Sequence, residues 1–390
     1  MPNPTRPPLS GITVVALESE VALPLATRHL AEQGARVIKV ERPGTGDPAR
    51  SHDRRALGLS SPFVWANRGK ESLELDLHDG DDVALLGRIV ARADVLVHDL
   101  RPEEVEKLGL TAAACRAENP RLVHCSLSGY GDRGPYTDRR ADDLLVQAEA
   151  GVLDVTGTEE ERARAGIPVA DIAGAMYVYS GILSALLQRR DTGTGSTLTV
   201  ALFDALVEWM GRPLAATLSD GGHGGEPVRT GARDAAAYPS GPFETGDGES
   251  VCVVVRDERE WVAFCTDVLD RPELAAVPRF AGGASRLEHR DELDRLILTS
   301  FSRLSVGETA DRLDDAGIGF ARVRSVGEVA DHPLLTARRR WREVSTTAGP
   351  VPVPAPPVCS DAYDPVVGDV PALGEANERL RAEFGTEEKG

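Results

Sequence analysis

The chain has 390 residues, of which 41% are hydrophobic and 27% are charged, and its formal net charge is −18. This length and composition predict a folded protein with one large domain or two, and they exclude an intrinsically disordered chain. The excess of acidic residues argues against nucleic acid or an anionic membrane surface as a partner, because like charges repel.

The cysteines and histidines give no sign of a metal site. The five cysteines are scattered and the eight histidines lack the spacing of metal ligands, so neither a disulfide framework nor a bound metal is expected. The sequence has no run of about 18 apolar residues and no apolar signal segment near its first residue, so no membrane span is expected. These features predict a soluble, cytoplasmic protein.

The first 135 residues alternate between strand and helix patterns. The expected strands are 12–17, 36–40, 72–77, 94–97 and 121–127, and the expected helices are 24–33, 81–93 and 103–108. Strands that alternate with helices of about ten residues are typical of parallel βαβ units with right-handed crossovers. The fold class is therefore predicted to be α/β and Rossmann-like, although no G-x-G-x-x-G fingerprint follows the first strand.

The second half of the chain begins with a long apolar helix. This helix is expected to start at Asp171 and to end at Arg190, before a strand at 196–200 and a helix at 203–210. Residues 211–250 are rich in glycine and predict a linker or an active-site loop. A second set of strand and helix patterns begins at Ser250.

Asp171 lies directly before the apolar part of the long helix, at the expected N-cap position. Most aspartates in this position only cap the helix. A carboxylate there is also kept ionised by the free backbone N–H groups and by the helix dipole. An ionised carboxylate can attack a thioester and form a mixed anhydride. Position alone leaves both the capping role and the nucleophilic role open.

Several basic residues follow the ends of predicted strands in the first half. The segment 39–50 leaves the second strand and enters a glycine-bearing loop, and Arg68, Lys70 and Arg101 follow other strand edges. Ligands of parallel α/β sheets bind at the carboxyl ends of the strands. A local anion site is therefore expected there, with a surface run of charges as the alternative.

Taken in order, these segments resemble the class III coenzyme A transferases, a family that includes formyl-CoA transferase and the 2-methylacyl-CoA racemases. The resemblance extends over nearly the whole chain and includes residues 8–12, 34–43, 46–50, 67–70, 93–97, 129–131, 147–151, Asp171, 187–195 and 371–375. It implies a large Rossmann-like CoA-binding domain built from residues 1–210 and 330–390. Residues 211–329 would form a linker and a smaller central α+β domain, and two chains would form an interlocked homodimer.

The resemblance also implies an acyl-CoA:carboxylate CoA-transferase. Asp171 falls at the position of the catalytic aspartate, which attacks an acyl-CoA to give an anhydride and then carries CoA as an aspartyl thioester. Coenzyme A would serve as substrate and acyl carrier, a carboxylic acid would be the acceptor, and no metal would take part. Residues 208–210, 258–261 and 340–341 resemble relatives that use short dicarboxylic acids.

The same resemblance implies a set of contacts to CoA. Arg42 matches an arginine that contacts the nucleotide part of CoA, and Lys107 and Arg140 lie where the family often has basic contacts. The full expected set is Ala22, Arg42, Leu75, Asp99, Leu100, Lys107, Arg140 and Asp142.

Four acidic residues depart from the family pattern. Asp99 stands where asparagine is usual, Glu103 where glycine is usual, and Asp234 where many relatives have histidine. Asp142 stands where transferases often have tyrosine and racemases have histidine. If these carboxylates faced a polyanionic ligand, they would repel it.

Two alternative functions stay open. An acyl-CoA racemase or epimerase needs an acid and a base on opposite faces of the α-carbon. Two aspartates form a poor pair for this task unless the pKa of one is strongly raised, so the sequence favours the transferase. The acidic departures motivate the other alternative, a CoA-binding protein without catalytic activity.

Overall fold

The computed structural model describes residues 6–219, 229–234 and 236–385. The strands are β1 (Thr13–Leu17), β2 (Arg36–Glu41), β3 (Glu71–Glu74), β4 (Val95–His98), β5 (Val123–Ser128), β6 (Thr197–Ala201), β7 (Ser240–Glu244), β8 (Ser250–Val254), β9 (Gly319–Arg322), β10 (Trp341–Val344) and β11 (Val351–Pro354). The α-helices are α1 (Ala22–Glu32), α2 (Ser61–Asn67), α3 (Gly80–Arg92), α4 (Pro102–Lys107), α5 (Ala112–Glu118), α6 (Asp143–Glu149), α7 (Val152–Val155), α8 (Val169–Thr192), α9 (Leu202–Trp209), α10 (Gly211–Ser219), α11 (Glu258–Ala263), α12 (Gly283–Glu288), α13 (Arg290–Phe301), α14 (Val306–Asp315), α15 (Val326–Ala330), α16 (Pro333–Ala337) and α17 (Asn377–Phe384).

Six strands form one parallel sheet in the order β3-β2-β1-β4-β5-β6. Thr13 of β1 lies opposite Arg36 of β2, and Val14 lies opposite Val95 of β4. Strands inside a parallel sheet are covered on both faces, so they are continuously apolar, and residues 14–17 of β1 are all buried. The predicted α/β class with a parallel sheet is confirmed. The strand order reverses between β1 and β4, which marks the switch point of the sheet.

Gly34 lies in the middle of the short connection between α1 and β2. Its φ of +93° lies in the left-handed region, which disfavours residues that have a side chain. A Cβ atom at this position would lie 2.6 Å from the Cβ of Pro7. Only glycine therefore lets the chain turn back within two residues of α1 and start β2.

The chain divides into two compact units. The first takes in the described residues of 1–152, 165–215 and 338–390, and the second takes in those of 153–164 and 216–337. The first unit contains the parallel sheet and the antiparallel pair of β10 and β11, and the second contains the antiparallel sheet β7-β8-β9. Aromatic side chains form much of the core of the second unit, among them Tyr238, Phe243, Trp261, Phe264, Phe280 and Phe301.

These units differ from the predicted domain ranges mainly at residues 153–164. The sequence assigned this segment to the large domain, but contacts hold it in the second unit. The backbone N–H of Gly231 donates to the carbonyl of Gly157, and Arg290 forms an ion pair with Glu159. Residues 211–219, expected as part of a linker or an active-site loop, form α10.

Helix α8 is the one helix among the described residues whose length and composition would allow a membrane span. The sequence analysis expected this helix but counted no run of about 18 apolar residues in it, because Tyr177, Tyr179 and Ser180 interrupt the apolar run. In its most apolar stretch, 44% of the residues are buried inside the protein. Within the first unit α8 packs against α1, α9 and strands β5 and β6, so packing accounts for much of its apolar surface.

Candidate active site

A cleft of about 540 Å³ lies at the carboxyl edge of the parallel sheet. Its walls are formed by residues at or just beyond the ends of β1, β2, β3 and β4, together with residues of α4. The ends of β1 and β4 meet at the switch point, where the crossovers run to opposite faces of the sheet and leave a crevice. The cleft therefore lies where open α/β sheets bind their ligands.

The structure brings five of the eight predicted CoA contacts together in this cleft. They are Arg42, Leu75, Asp99, Leu100 and Lys107.

The other three predicted contacts do not line the cleft. Ala22 is the buried first residue of α1. Arg140 and Asp142 are exposed and form an ion pair with each other, with 2.8 Å between Nε and Oδ2. The negative charge of Asp142 is thus partly balanced by its neighbour.

Two of the basic residues expected at an anion site are fully buried in internal ion pairs. Lys39 Nζ lies 2.7 Å from Asp47 Oδ2, and Lys70 Nζ lies 2.7 Å from Glu18 Oε1. A buried ammonium group is costly unless it is paired. The expectation that these lysines bind a ligand anion is therefore wrong: they hold the base of the cleft together.

Of the other basic residues expected at an anion site, some are not available to a ligand in the cleft and others are. Arg68 is buried against Glu32 at 2.5 Å and is likewise not available to a ligand. Arg101 is exposed outside the residues that line the cleft. By contrast, the Arg42 and Lys107 side chains are exposed on the cleft and make no hydrogen bond or ion pair with the rest of the described chain. They are the cations available to bind phosphate groups there.

Asp99 faces the end of β1 and contributes to the structure. Its Oδ2 accepts hydrogen bonds of 2.9 Å from both the backbone N–H and the hydroxyl of Ser19. Burial raises the pKa of Asp99 to about 6. The carboxyl group therefore joins the ends of β1 and β4, and the two hydrogen bonds from Ser19 stabilise its negative charge at neutral pH.

Asp171 lies in the first turn of α8, and it is not the N-cap. The helix begins at Val169, and its N-cap position is Pro168, which provides no side-chain cap. The predicted capping role is therefore wrong, because the helix starts two residues earlier than the apolar pattern indicated. The Asp171 side chain is half-buried.

The pKa of Asp171 is raised to about 7. Burial is the largest cause, and the carboxylates of Asp143, Glu20 and Asp142 add to it in that order. The sequence predicted a carboxylate held ionised by the helix N-terminus, whereas with a pKa of about 7 the group is about half protonated at pH 7. A helix dipole contributes only about 0.3–1 kcal/mol, which burial beside three carboxylates outweighs.

Glu20 is a further residue of the site that no sequence pattern indicated. It follows Ser19, a residue of the cleft wall, and its carboxylate is close enough to raise the pKa of Asp171. Its φ is +64°, an uncommon value for a residue with a side chain. Its Oε2 lies 2.8 Å from Nε2 of His52. The nucleophile candidate is therefore close to a residue adjacent to the cleft.

Asp143 is a further residue of the site that the sequence did not single out. Its Oδ1 accepts hydrogen bonds from the backbone N–H groups of Ala170, at 2.8 Å, and Asp171, at 3.4 Å. Gln147, one turn further along α6, donates to its Oδ2 at 2.6 Å. The spacing of four residues between Asp143 and Gln147 was the available signal, since such residues share a helix face.

The described residues contain no group of three or more histidine, cysteine, aspartate or glutamate side chains that could hold a metal ion.

Asp234, one of the four acidic residues that depart from the family pattern, belongs to the second unit. It accepts a hydrogen bond from the backbone N–H of Ala236.

The fold and the site define an α/β protein with a switch-point cleft, two free cations in that cleft and a half-buried carboxyl group nearby. Residues 9–377 match the model of CoA-transferase family III, and the chain therefore belongs to this family. The resemblance stated from the sequence is thus confirmed.

Several similar proteins carry the names of CoA-transferases. The chain is 32% identical to the acetyl-CoA:oxalate CoA-transferase of Acetobacter aceti, over 99% of this chain and 98% of that protein. It is 30% identical to the succinate–glutarate CoA-transferase of Agrobacterium fabrum, over 100% of this chain and 98% of that protein. The protein is accordingly a CoA-transferase, as the sequence predicted.

Solved structures support the same fold. A CAIB/BAIF family protein from Brucella suis has a TM-score of 0.89 and 29% identity, and the match covers 97% of this chain and 100% of that one. A hypothetical protein from Mycobacterium tuberculosis has a TM-score of 0.83 and 30% identity, over 97% of this chain and 99% of that one.

Proposed function

We propose that this CoA-transferase moves CoA between short dicarboxylic acids, with Asp171 as the nucleophile that carries the covalent intermediates. The observation that carries the proposal is a half-buried carboxyl group in the first turn of α8, close to Glu20, next to the wall of the cleft. The names of relatives that act on oxalate, succinate, glutarate and mesaconate support the substrate class.

The reaction would proceed through four acyl transfers. The Asp171 carboxylate attacks the donor thioester carbonyl and releases CoA thiolate, which leaves a mixed anhydride. The thiolate attacks the aspartyl carbonyl of that anhydride, giving an aspartyl–CoA thioester and the free donor acid. The acceptor carboxylate then attacks this thioester, forming a second anhydride and releasing CoA thiolate. The thiolate attacks the acceptor carbonyl, so that the new acyl-CoA leaves and Asp171 is restored.

Coenzyme A would lie in the cleft at the switch point. Its phosphate groups would bind Arg42 and Lys107, because both side chains are exposed there and unpaired within the described chain. Leu75 and Leu100 offer apolar contacts in the same cleft. Contacts from Ala22, Arg140 and Asp142 stay predictions from the family resemblance.

The same proposal includes the assembly and the location of the protein. The family resemblance implies a homodimer of two interlocked chains. The cysteine pattern and the charge of the sequence favour the cytoplasm, with neither nucleic acid nor membrane as a partner. The net charge of −18 favours a soluble protein that does not bind polyanions.

A panel of CoA thioesters and acceptor acids tests the substrate proposal. Acetyl-CoA and succinyl-CoA are each incubated with oxalate, glutarate, mesaconate or a monocarboxylate such as propionate, and the thioesters are separated by chromatography. New thioesters of the dicarboxylates, formed faster than that of propionate, are expected. Transfer only to monocarboxylates would reject the dicarboxylate class, and no transfer to any acid would leave hydrolysis or α-proton exchange as the activity.

Racemase activity at the same site, in addition to CoA transfer, is a second candidate because of one observation. Two aspartates can serve as acid and base only if the pKa of one is strongly raised, and the pKa of Asp171 is raised to about 7. Incubation of a 2-methylacyl-CoA in deuterated water without an acceptor acid distinguishes the two. Deuterium at the α-carbon would favour the racemase, whereas a transferase incorporates none.

A further inference from the structure

The first turn of α8 lacks a capping residue of its own. Backbone N–H groups in the first turn of a helix have no partner within the helix, so another group has to accept their hydrogen bonds. The N-cap residue here is Pro168, whose side chain has no acceptor. Asp143 of α6 takes this role, since its Oδ1 accepts from Ala170 at 2.8 Å and more weakly from Asp171 at 3.4 Å.

Gln147 fixes the position of Asp143. Its side chain is fully buried, and its Nε2 donates to Asp143 Oδ2 at 2.6 Å. Its Oε1 accepts from the backbone N–H of Ala165 at 2.9 Å. Both ends of the segment 165–171 are therefore bonded to side chains of one helix face on α6.

We propose that Asp143 is a positioning residue, which fixes the first turn of α8 and with it the carboxyl group of Asp171, and that Gln147 holds Asp143 in place. This inference rests on the proposed role of Asp171 as the nucleophile. Attack on a thioester requires the carboxylate oxygen at a defined distance and angle, and small displacements reduce the rate strongly.

The charge of Asp143 gives it a second effect on the same group. Asp171 is surrounded by Asp142 and Asp143 near the start of α6 and by Glu20 between β1 and α1. His52 lies beside Glu20, Lys39 also acts on Glu20, and Arg140 is paired with Asp142. Among the three carboxylates, Asp143 raises the pKa of Asp171 most. Asp143 therefore holds the nucleophile in place and also keeps a proton on it near neutral pH.

Two substitutions separate the hydrogen bond from the charge. Asp143→Asn keeps the oxygen acceptor for Ala170, removes the charge and replaces the acceptor for Gln147 by an amide nitrogen. Asp143→Ala removes the charge and both acceptors. We expect the acidic limb of the kcat/KM profile to move down by about half a pH unit or more in both variants. Above pH 8, kcat should fall about tenfold or more in Asp143→Ala and by only about threefold to tenfold in Asp143→Asn, which loses the bond from Gln147 but keeps the acceptor for Ala170.

Gln147→Met supplies a third variant, in which the charge of Asp143 stays but its support is removed. A fall in kcat of about threefold to tenfold without a downward shift of the acidic limb is expected. Glu149→Gln is the matched control for Asp143→Asn. It makes the same charge change on the same helix, at an exposed residue that pairs with Arg139. This control should leave both kcat and the pH profile as in the unmodified protein.

A carboxyl-carbon NMR titration of Asp171 separates failure of this inference from failure of the proposed function. The signal is assigned by comparison with Asp171→Asn, and the midpoint should fall in Asp143→Asn whether or not transfer occurs. If the unmodified protein transfers CoA and the Asp143 variants match Glu149→Gln in kcat, in pH profile and in titration, the inference is overturned. If transfer survives in Asp171→Asn, the proposed nucleophile fails instead.

Discussion

At the scale of single residues, Asp171 shows how burial decides the state of a carboxyl group. The helix N-terminus favours the charged form, but burial and the nearby carboxylates favour the neutral form and raise the pKa to about 7. A nucleophilic attack needs the ionised form. The transfer rate should therefore rise with pH through about 7, as the proton of Asp171 is lost.

The substitution Asp171→Asn should abolish CoA transfer while stabilising the fold at alkaline pH. The folded-state pKa of about 7 lies above the ordinary value of 3.8. The stability that Asp171 contributes is therefore complete below pH 3.8 and is lost as the pH rises through 7. Removing the charge should gain on the order of 2 kcal/mol at pH 8. Urea unfolding at pH 8 and pH 5 measures this, and a variant less stable than the parent at pH 8 would contradict it.

The substitution Arg42→Ala should weaken binding of the CoA thioester with little change in kcat. The Arg42 guanidinium lies in the cleft, is exposed, and has no ion pair within the described chain. Loss of a charge-assisted contact to phosphate is expected to raise KM about tenfold and to reduce the salt dependence of KM. The control is Arg190→Ala, in the last turn of α8 and outside the cleft. Equal effects of both substitutions would reject the cleft as the CoA site.

At the scale of elements, the parallel sheet could be predicted well from the sequence, because the pattern that indicates each strand and helix lies within a short segment of the chain. The central strands β1 and β4 are apolar runs, and each is followed by a segment with helical periodicity. Helix α6 was missed because it has only seven residues, of which Asp143, Gln147 and Glu149 are polar or acidic. Strand bounds and the start of α8 were off by a few residues, since propensity changes gradually at the ends of elements.

The contacts that complete the site could not be predicted from the sequence. Asp143 and Ala170 are 27 residues apart, and no periodic pattern links them. Asp99 and Ser19 are 80 residues apart and meet only because β1 and β4 are neighbours in the sheet. The sequence identified Asp171 and five residues of the cleft through family resemblance, whereas the neighbours of Asp171 depend on how the elements pack.

The base of the cleft depends on the ion pairs between β1, β2 and the start of β3. Glu18 is fully buried and contacts both Lys39 and Lys70. Glu18→Gln would remove the carboxylate that Lys39 and Lys70, both buried, share, and would leave Lys39 paired with Asp47. The substitution should cost about 3–5 kcal/mol of unfolding free energy, because breaking a buried pair leaves an uncompensated charge.

Glu71→Gln is the matched control for this prediction. Glu71 is only partly buried and pairs with Arg36 and Arg379 near the surface, so its loss should cost no more than about 1 kcal/mol. Chemical denaturation of both variants measures the difference. Similar losses in both would show that the buried cluster is not specially important for stability.

At the scale of the whole molecule, the proposed interlocked homodimer makes a kinetic prediction. Two chains threaded through each other separate only if a chain unfolds, so subunits should not exchange between native dimers. Tagged and untagged proteins, mixed under native conditions, should form no hybrid dimers, whereas co-refolding after denaturation should produce them. A native mass equal to one chain would reject the dimer. Rapid exchange of subunits would reject the interlocking alone.

The central claim is that Asp171 carries the CoA group during transfer. The most direct measurement is peptide mass spectrometry after incubation with succinyl-CoA and hydroxylamine, which converts an activated carboxyl group into a stable hydroxamate. A hydroxamate at Asp171 is expected in the unmodified protein and none in Asp171→Asn. Turnover without modification of Asp171, or a hydroxamate at Asp143 in its place, would contradict the account.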